Sequence, residues 1–134
     1  SGSKKIVHLH GEILKSRSTL TEKVYPLKSP DLNLGDLCEE ESQLRPHVVW
    51  FGEPVPNMIK ASKICEKADI LIVIGTSLNV YPAANLIDFV SKKCNVYLID
   101  PKEVFTDNRN NINFIKDIAS NGLPILVEEL LSKK

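Results

Sequence analysis

Asp-Ile-Leu-Ile-Val-Ile-Gly-Thr-Ser, residues 69–77, is the stretch that decides the fold. Residues 70–74 form an aliphatic run without polar alternation, which is typical of a strand buried on both faces of a helix-covered parallel sheet. The run ends in the small polar turn Gly75, Thr76 and Ser77. Open α/β sheets usually bind ligands at the carboxyl ends of such strands, although an ordinary strand-to-helix turn explains the same residues.

The rest of the chain continues an α/β pattern around this strand. Apolar runs and helical periodicity predict the remaining elements: strands at 6–9, 48–51, 96–99 and 112–115, and helices at 56–67, 83–92 and 124–131. This order predicts α/β layers around a mostly parallel sheet. Residues 16–46 interrupt the pattern, because they are polar, rich in turn formers and weakly periodic, which indicates a small insertion with little core of its own.

The overall composition excludes several classes of partner. The 134 residues carry 17 basic and 17 acidic side chains, a balance that indicates neither a nucleic-acid-binding nor a membrane-binding surface. The three cysteines, Cys38, Cys65 and Cys94, are odd in number and widely spaced, which argues against a disulfide framework and fits a reducing cytoplasm. Because no Cys-x-x-Cys pair occurs, the sequence contains no recognisable cysteine zinc site.

Two histidines, His8 and His10, fall at the end of the first predicted strand, beside Gly11. Alternate residues of a strand face the same side, so the two imidazoles are predicted to share a face. A histidine in this position is a candidate general base, because an imidazole exchanges protons near neutral pH. An exposed or hydrogen-bonded surface histidine is the competing interpretation.

Two further segments carry candidate binding residues. Residues 48–51 favour an extended conformation and end at Gly52, so they are suited to pair with an extended peptide or to line a pocket with aromatic rings. The alternative is an edge strand with Trp50 and Phe51 in the core. Asp100 follows the predicted strand 96–99, where an acid accepts hydrogen bonds from a ribose or simply caps a turn.

Four motifs in order resemble the C-terminal half of a sirtuin, an NAD-dependent protein deacylase: residues 8–12, 45–53, 75–82 and 98–101. The resemblance implies a Rossmann-like catalytic domain formed by 1–15 and 47–134, with 16–46 in the place of the family's zinc module. It implies that His10 is the catalytic base acting on the nicotinamide ribose. It also implies substrate-binding residues Val49, Trp50, Phe51, Gly52 and Glu53. The implied NAD-binding residues are Gly75, Thr76, Ser77, Asn79, Asp100, Ile118 and Ala119.

The chain departs from the sirtuin pattern in three respects. Ser18 and Thr21 stand roughly at the first cysteine pair of the zinc ribbon, and Cys38 and Glu41 at the second, so zinc is not expected and the chain resembles a zinc-less bacterial subgroup. Asp100 stands where many sirtuins have asparagine. The family's N-terminal half, with its Gly-rich NAD loop, is absent from these residues, which predicts that the isolated chain turns over nothing.

The resemblance therefore predicts a fragment of a cytoplasmic NAD-dependent protein-lysine deacylase. Such an enzyme transfers an acyl group from an acyl-lysine protein or peptide to ADP-ribose and releases nicotinamide. The alternative is a non-catalytic sirtuin-like module that binds NAD, ADP-ribose or acyl-lysine peptide. An unrelated α/β nucleotide-binding domain is a third hypothesis, which predicts no affinity for acyl-lysine peptides.

Overall fold

The computed structural model describes residues 2–76, 78, 80–103 and 112–133. The chain divides into two compact units, Ser1–Asn57 and Met58–Lys134. Strands pair antiparallel in the first unit, and parallel strands with helices form the second. The predicted mixed α/β class with a parallel sheet is therefore confirmed. The predicted insertion module, residues 16–46, lies wholly within the first unit, and its boundaries stay a prediction.

The described part of the first unit contains an antiparallel sheet with the strand order β2-β1-β3. The strands are β1 (Gly11–Ser18), β2 (Val24–Pro26) and β3 (Leu44–Val48). β1 buries the small side chains of Ser16 and Ser18 on one face, and Arg17 between them points to the other. The segment predicted as an insertion with little core thus supplies β2 and the adjoining ends of β1 and β3, which are held by backbone pairing and do not show apolar alternation.

In the described part of the second unit, three parallel strands lie in the order β4-β5-β6. They are β4 (Ile70–Ile74), β5 (Asn95–Ile99) and β6 (Ile112–Ile115), all close to the predicted limits. The prediction that β4 is buried on both faces is wrong. β4 lies at an edge of this sheet and its terminal residues Ile70 and Ile74 are exposed, whereas β5 in the middle buries Val96, Leu98 and Ile99.

Helices account for the remaining regular structure of the second unit. α1 (Met58–Cys65) lies inside the predicted range, and the helix predicted at 83–92 is a shorter 3₁₀ helix (Ala83–Asp88) closed by i to i−3 bonds. α2 (Ala119–Ser132) begins before the predicted Pro124. Gly122 lies inside α2, where a Cβ atom would stand 2.9 Å from the Ile99 side chain, so glycine lets the helix approach β5 closely.

Replacement of Leu98 by alanine is expected to destabilise the protein by about 2–5 kcal/mol, because it leaves a cavity in a fully buried site. The measurement is the free energy of unfolding from urea denaturation monitored by circular dichroism. Leu131→Ala is the matched control, since this leucine of α2 is exposed and its loss should cost only about 0.5 kcal/mol. Equal losses for the two variants would contradict the assignment of β5 to the core.

Candidate active site

His10 lies in a turn directly before β1. The strand predicted at 6–9 is wrong, because regular pairing begins only at Gly11, and so His8 and His10 do not share a strand face. The Gly11 amide donates to the His8 carbonyl at 3.4 Å, and the Val49 amide donates to the His10 carbonyl at 3.0 Å. The second bond fixes His10 beside the residue that follows β3.

The two histidines differ in their surroundings. His8 Nε2 lies 3.4 Å from Glu12 Oε1, and the His8 carbonyl accepts a bond of 2.9 Å from the Asn57 side-chain amide. The Lys15 ammonium, helped by His8, holds the pKa of the Glu12 carboxyl below its ordinary value. The exposed His10 imidazole makes no hydrogen bond within the described residues, so it is available to take a proton from a bound ligand.

The segment after β3 forms an exposed aromatic turn, residues 50–53. Of the segment predicted to be extended, residues 48–51, only Val48 belongs to a strand, since β3 ends there, residues 51–53 turn and Gly52 has a φ of +88°. Phe51 is 94% exposed and Trp50 55% exposed, so the interpretation that places both rings in the core is wrong. The Glu53 carboxylate accepts the Trp50 amide at 3.0 Å, which closes the turn.

The carboxyl ends of the three parallel strands carry several of the predicted cofactor residues. Gly75 follows β4 and donates its amide to the Ile99 carbonyl at 3.0 Å; Asp100 follows β5 and donates to the Ile115 carbonyl at 3.3 Å. These bonds bring Gly75 and Asp100 to one edge of the sheet. Ile118, which precedes α2, follows β6 by three residues.

The structure describes some of the other predicted cofactor-binding residues and leaves others outside the described part of the chain. Thr76 accepts the Leu78 amide at 3.2 Å through its hydroxyl, and Ala119 is the first residue of α2. The Asp100 carboxylate accepts the Lys102 amide at 2.8 Å through one oxygen, which is the turn-capping role named as the alternative. Ser77 and Asn79 lie outside the described residues.

Residues at the positions of the sirtuin zinc ligands do not form a metal site. The Ser18 hydroxyl accepts the amides of Leu20 and Thr21, each at 3.2 Å, and closes a turn without metal. Cys38 supplies one thiol, whereas structural zinc needs about four ligands, mostly thiolates and imidazoles. In the parts of the chain that the structure describes, no group of three or more His, Cys, Asp or Glu side chains could hold a metal ion.

Cys38 is held in its turn by the backbone around it. Its amide donates to the Ser42 carbonyl at 2.9 Å, and its carbonyl accepts the Glu41 amide at 3.1 Å. Burial opposes ionisation of the thiol, but hydrogen bonds from the Glu40 and Ser42 backbone and from Ser18 outweigh it and hold the pKa of Cys38 below its ordinary value. Backbone hydrogen bonds therefore close the turn at Cys38, and the Ser18 hydroxyl closes the turn at Ser18.

Treatment of the purified protein with a strong zinc chelator is expected to leave its melting temperature unchanged. A structural zinc contributes directly to folding, so its removal from a zinc ribbon lowers stability, and the described residues contain no ligand set that a chelator could empty. The measurement is thermal unfolding with and without chelator, alongside the zinc content by mass spectrometry. One zinc atom per chain together with a chelator-dependent drop in melting temperature would contradict this prediction.

The sequence did not point to Arg17, Arg45 or Asn57 as site residues. Arg17 and Arg45 contact the Glu53 carboxylate that closes the aromatic turn, and Asn57 holds the His8 carbonyl. Each of these three side chains contacts a residue that is distant in the sequence or that lies outside its own secondary-structure element. Arg45 stands in a recognised motif, but nothing local to Arg17 or Asn57 indicates the contact.

A parallel sheet whose strands end in small polar turns, of the kind that bind ligands in open α/β sheets, defines a Rossmann-like α/β domain. The chain belongs to the Sir2 family, whose family model matches residues 1–82. It is 43% identical over 131 residues to an NAD-dependent protein deacylase of Helicobacter pylori, and the match covers 98% of this chain and 57% of that protein. The chain thus spans little more than half of this relative's length.

Two solved structures resemble this one over nearly the whole chain. A Sir2 homologue variant in complex with ADP-ribose has a TM-score of 0.81 at 32% identity, with 99% of this chain and 56% of that chain covered. Sir2Tm bound to a propionylated peptide has a TM-score of 0.72 at 29% identity, with 96% of this chain and 57% of that chain covered. The Rossmann-like fold expected from the resemblance is confirmed by these neighbours.

Proposed function

We propose that the complete protein is an NAD-dependent protein-lysine deacylase. It transfers the acyl group of an acyl-lysine protein or peptide to ADP-ribose and releases nicotinamide. The observation that carries the proposal is the bond from the Val49 amide to the His10 carbonyl, which couples an exposed imidazole to the segment that ends in the aromatic turn. A catalytic base and a peptide-binding segment must be neighbours in such an enzyme.

In this proposal His10 is the catalytic residue and acts as a general base on a ribose hydroxyl of NAD. Val49, Phe51 and Gly52 receive the extended peptide through their backbone, and the exposed rings of Trp50 and Phe51 supply apolar surface for the acyl-lysine stem. Glu53 is the last residue of this proposed substrate-binding segment. When bound, NAD would supply an electrophilic ribose carbon, from which nicotinamide leaves as the acyl oxygen bonds to it, and a ribose hydroxyl that accepts the acyl group.

The proposed NAD-binding residues lie in the second unit, at the carboxyl ends of its parallel strands and at the start of α2. Gly75 and Asp100 are linked there through backbone bonds to neighbouring strands, and Asp100 keeps one carboxylate oxygen for a ribose hydroxyl. The remaining proposed residues are Thr76, Ser77, Asn79, Ile118 and Ala119. The relative named as an NAD-dependent deacylase and the neighbour that binds ADP-ribose support this assignment.

We propose a cytoplasmic location with neither nucleic acid nor membrane as a partner. The formal net charge is zero, and all three cysteines are free, which suits a reducing compartment. In the described residues, no helix is both long and apolar enough to span a bilayer.

The proposal is tested by incubating the complete protein, as its gene encodes it, with NAD and an acetyl-lysine peptide. Equal amounts of free nicotinamide and deacetylated peptide are expected, and neither product should form when NAD is omitted. Peptide or ADP-ribose binding without either product would favour the non-catalytic module. Absence of both binding and turnover would contradict the sirtuin activity altogether.

A further inference from the structure

Two arginines face each other across the first sheet. Arg17 of β1 and Arg45 of β3 are directly paired in the antiparallel register, and their side chains are only 12% and 24% exposed. Like charges placed opposite each other on neighbouring strands destabilise a sheet unless an anion lies between them. A carboxylate close to both guanidinium groups would offset the repulsion between them.

Glu53 supplies such a carboxylate. One of its oxygens lies 2.5 Å from Arg45 Nη1, and the other lies 3.2 Å from Arg45 Nη2 and 3.4 Å from Arg17 Nη2. This two-pronged contact is the strong form of the arginine–carboxylate pair. Hydrogen bonding from Arg45, supported by the Trp50 amide, holds the pKa of the Glu53 carboxyl below its ordinary value, so the group is ionised at neutral pH.

The same carboxylate shapes the aromatic turn. It accepts the Trp50 amide at 3.0 Å, and the Glu53 amide returns a bond of 3.1 Å to the Trp50 carbonyl. The Arg45 guanidinium lies 5.9 Å from the centre of the Trp50 ring, within the range of a cation–π contact. One anion thus fixes both ends of the turn that exposes Phe51 and attaches the turn to the arginine pair.

We propose that Glu53 is a positioning residue for acyl-peptide binding. Its carboxylate holds the aromatic turn on the Arg17–Arg45 pair, and it acts through Trp50 and Phe51 without contacting the peptide itself. Its hydrogen-bonding capacity is directed into the sheet and the turn, which leaves the turn's rings and backbone to receive the ligand. This inference rests on the proposed deacylase function and refines the substrate-binding role predicted for Glu53.

The test compares Glu53→Gln with Glu22→Gln in the complete protein. Glu22 also contacts Arg17, at 2.5 Å, but it is exposed and does not touch the turn, so it controls for simple loss of an arginine partner. Kinetics with an acetyl-lysine peptide give KM and kcat, and fluorescence anisotropy of a labelled copy of that peptide gives Kd.

Glu53→Gln is expected to raise the peptide KM and Kd about tenfold, because a charge-assisted contact is lost and the turn is released. The values of kcat and of KM for NAD should stay within about twofold, since the removed group contacts neither NAD nor the reacting atoms. Glu22→Gln should change none of these quantities. Arg45→Lys keeps the charge but loses the planar fork, so a smaller rise in peptide KM in the same direction is expected.

Two results would overturn the inference. One is a peptide Kd that rises no more in Glu53→Gln than in Glu22→Gln. The other is a fall in kcat that parallels the rise in KM, which would show general damage to the fold. If the unsubstituted protein binds peptide without turnover, the proposed function fails while the Kd comparison still decides the role of Glu53; if it binds no peptide, both fail.

Discussion

Replacement of His10 by alanine is expected to lower the kcat of the complete protein by about 10²–10⁴-fold, the usual contribution of a general base. The Kd for acetyl-lysine peptide should stay within about twofold. The reason for this separation is that His10 is tied to Val49 through its backbone carbonyl, and alanine keeps that bond. The imidazole itself supports nothing else within the described residues. Nicotinamide release and peptide anisotropy measure the two quantities.

His8→Ala is the matched control for this prediction. His8 lies two residues away in the same segment, and its imidazole is 3.4 Å from Glu12 and therefore part of a surface ion pair when protonated. Exposed pairs of this kind contribute little, so kcat should remain within about twofold of the unsubstituted value. Equal losses for the two variants would point to disturbance of the loop, and an active His10→Ala protein would leave the deacylase proposal without its base.

The strands of the second unit were the easier ones to predict, because they are short and mostly apolar runs. β4 and β6 begin and end at the predicted residues, and β5 begins one residue earlier. Such runs are read directly from composition and length. The burial of β4 was not predicted correctly, since an edge position depends on which strands lie beside it and not on the strand's own residues.

The sheet of the first unit could not be predicted from local patterns. β1 presents Ser16 and Ser18 where an apolar alternation would be expected, so the periodicity that marks a half-buried strand is missing. Its pairing with β3 joins residues that are 28 positions apart at Arg17 and Arg45. Small polar residues are accepted at buried strand positions when neighbouring backbone groups satisfy them, as the Leu20 amide does for Ser18.

The residues of the candidate site likewise include some that the sequence predicts and some that it does not. His10 and the residues after β3 were predicted through family motifs, and the structure places His10 and Val49 together in the first unit. Arg17 was not predicted, because its role depends on strand register and a single arginine in a polar segment is ordinarily a solvated charge. Motifs therefore indicate the residues proposed to contact ligands, whereas the contacts that hold those residues in place depend on the pairing of distant strands.

Replacement of Gly11 by alanine is expected to destabilise the protein by more than about 3 kcal/mol, at the severe end for a single substitution. Gly11 has a φ of +87°, and a Cβ atom there would lie 2.1 Å from the His47 backbone carbonyl oxygen. That oxygen belongs to β3 and cannot rotate away as a side chain does. Relief requires β1 and β3 to separate where the Val49 amide binds the His10 carbonyl, so peptide turnover should fall together with stability.

Comparison with Gly35→Ala separates the steric clash at Gly11 from the backbone strain that alanine incurs at a positive φ. Gly35 has a similar φ of +95°, but no atom lies within 4 Å of a Cβ placed there, so alanine incurs only the backbone strain of about 1–3 kcal/mol. Urea denaturation of both variants gives the difference in unfolding free energy, and the NAD-dependent assay gives activity. A markedly larger loss for Gly11→Ala, with activity retained in Gly35→Ala, is expected because, of these two glycines, Gly11 is the one that lies where two strands touch beside His10. Equal losses would mean that β1 and β3 are not in close contact at this point, and the link between His10 and the proposed peptide-binding segment would then need another explanation.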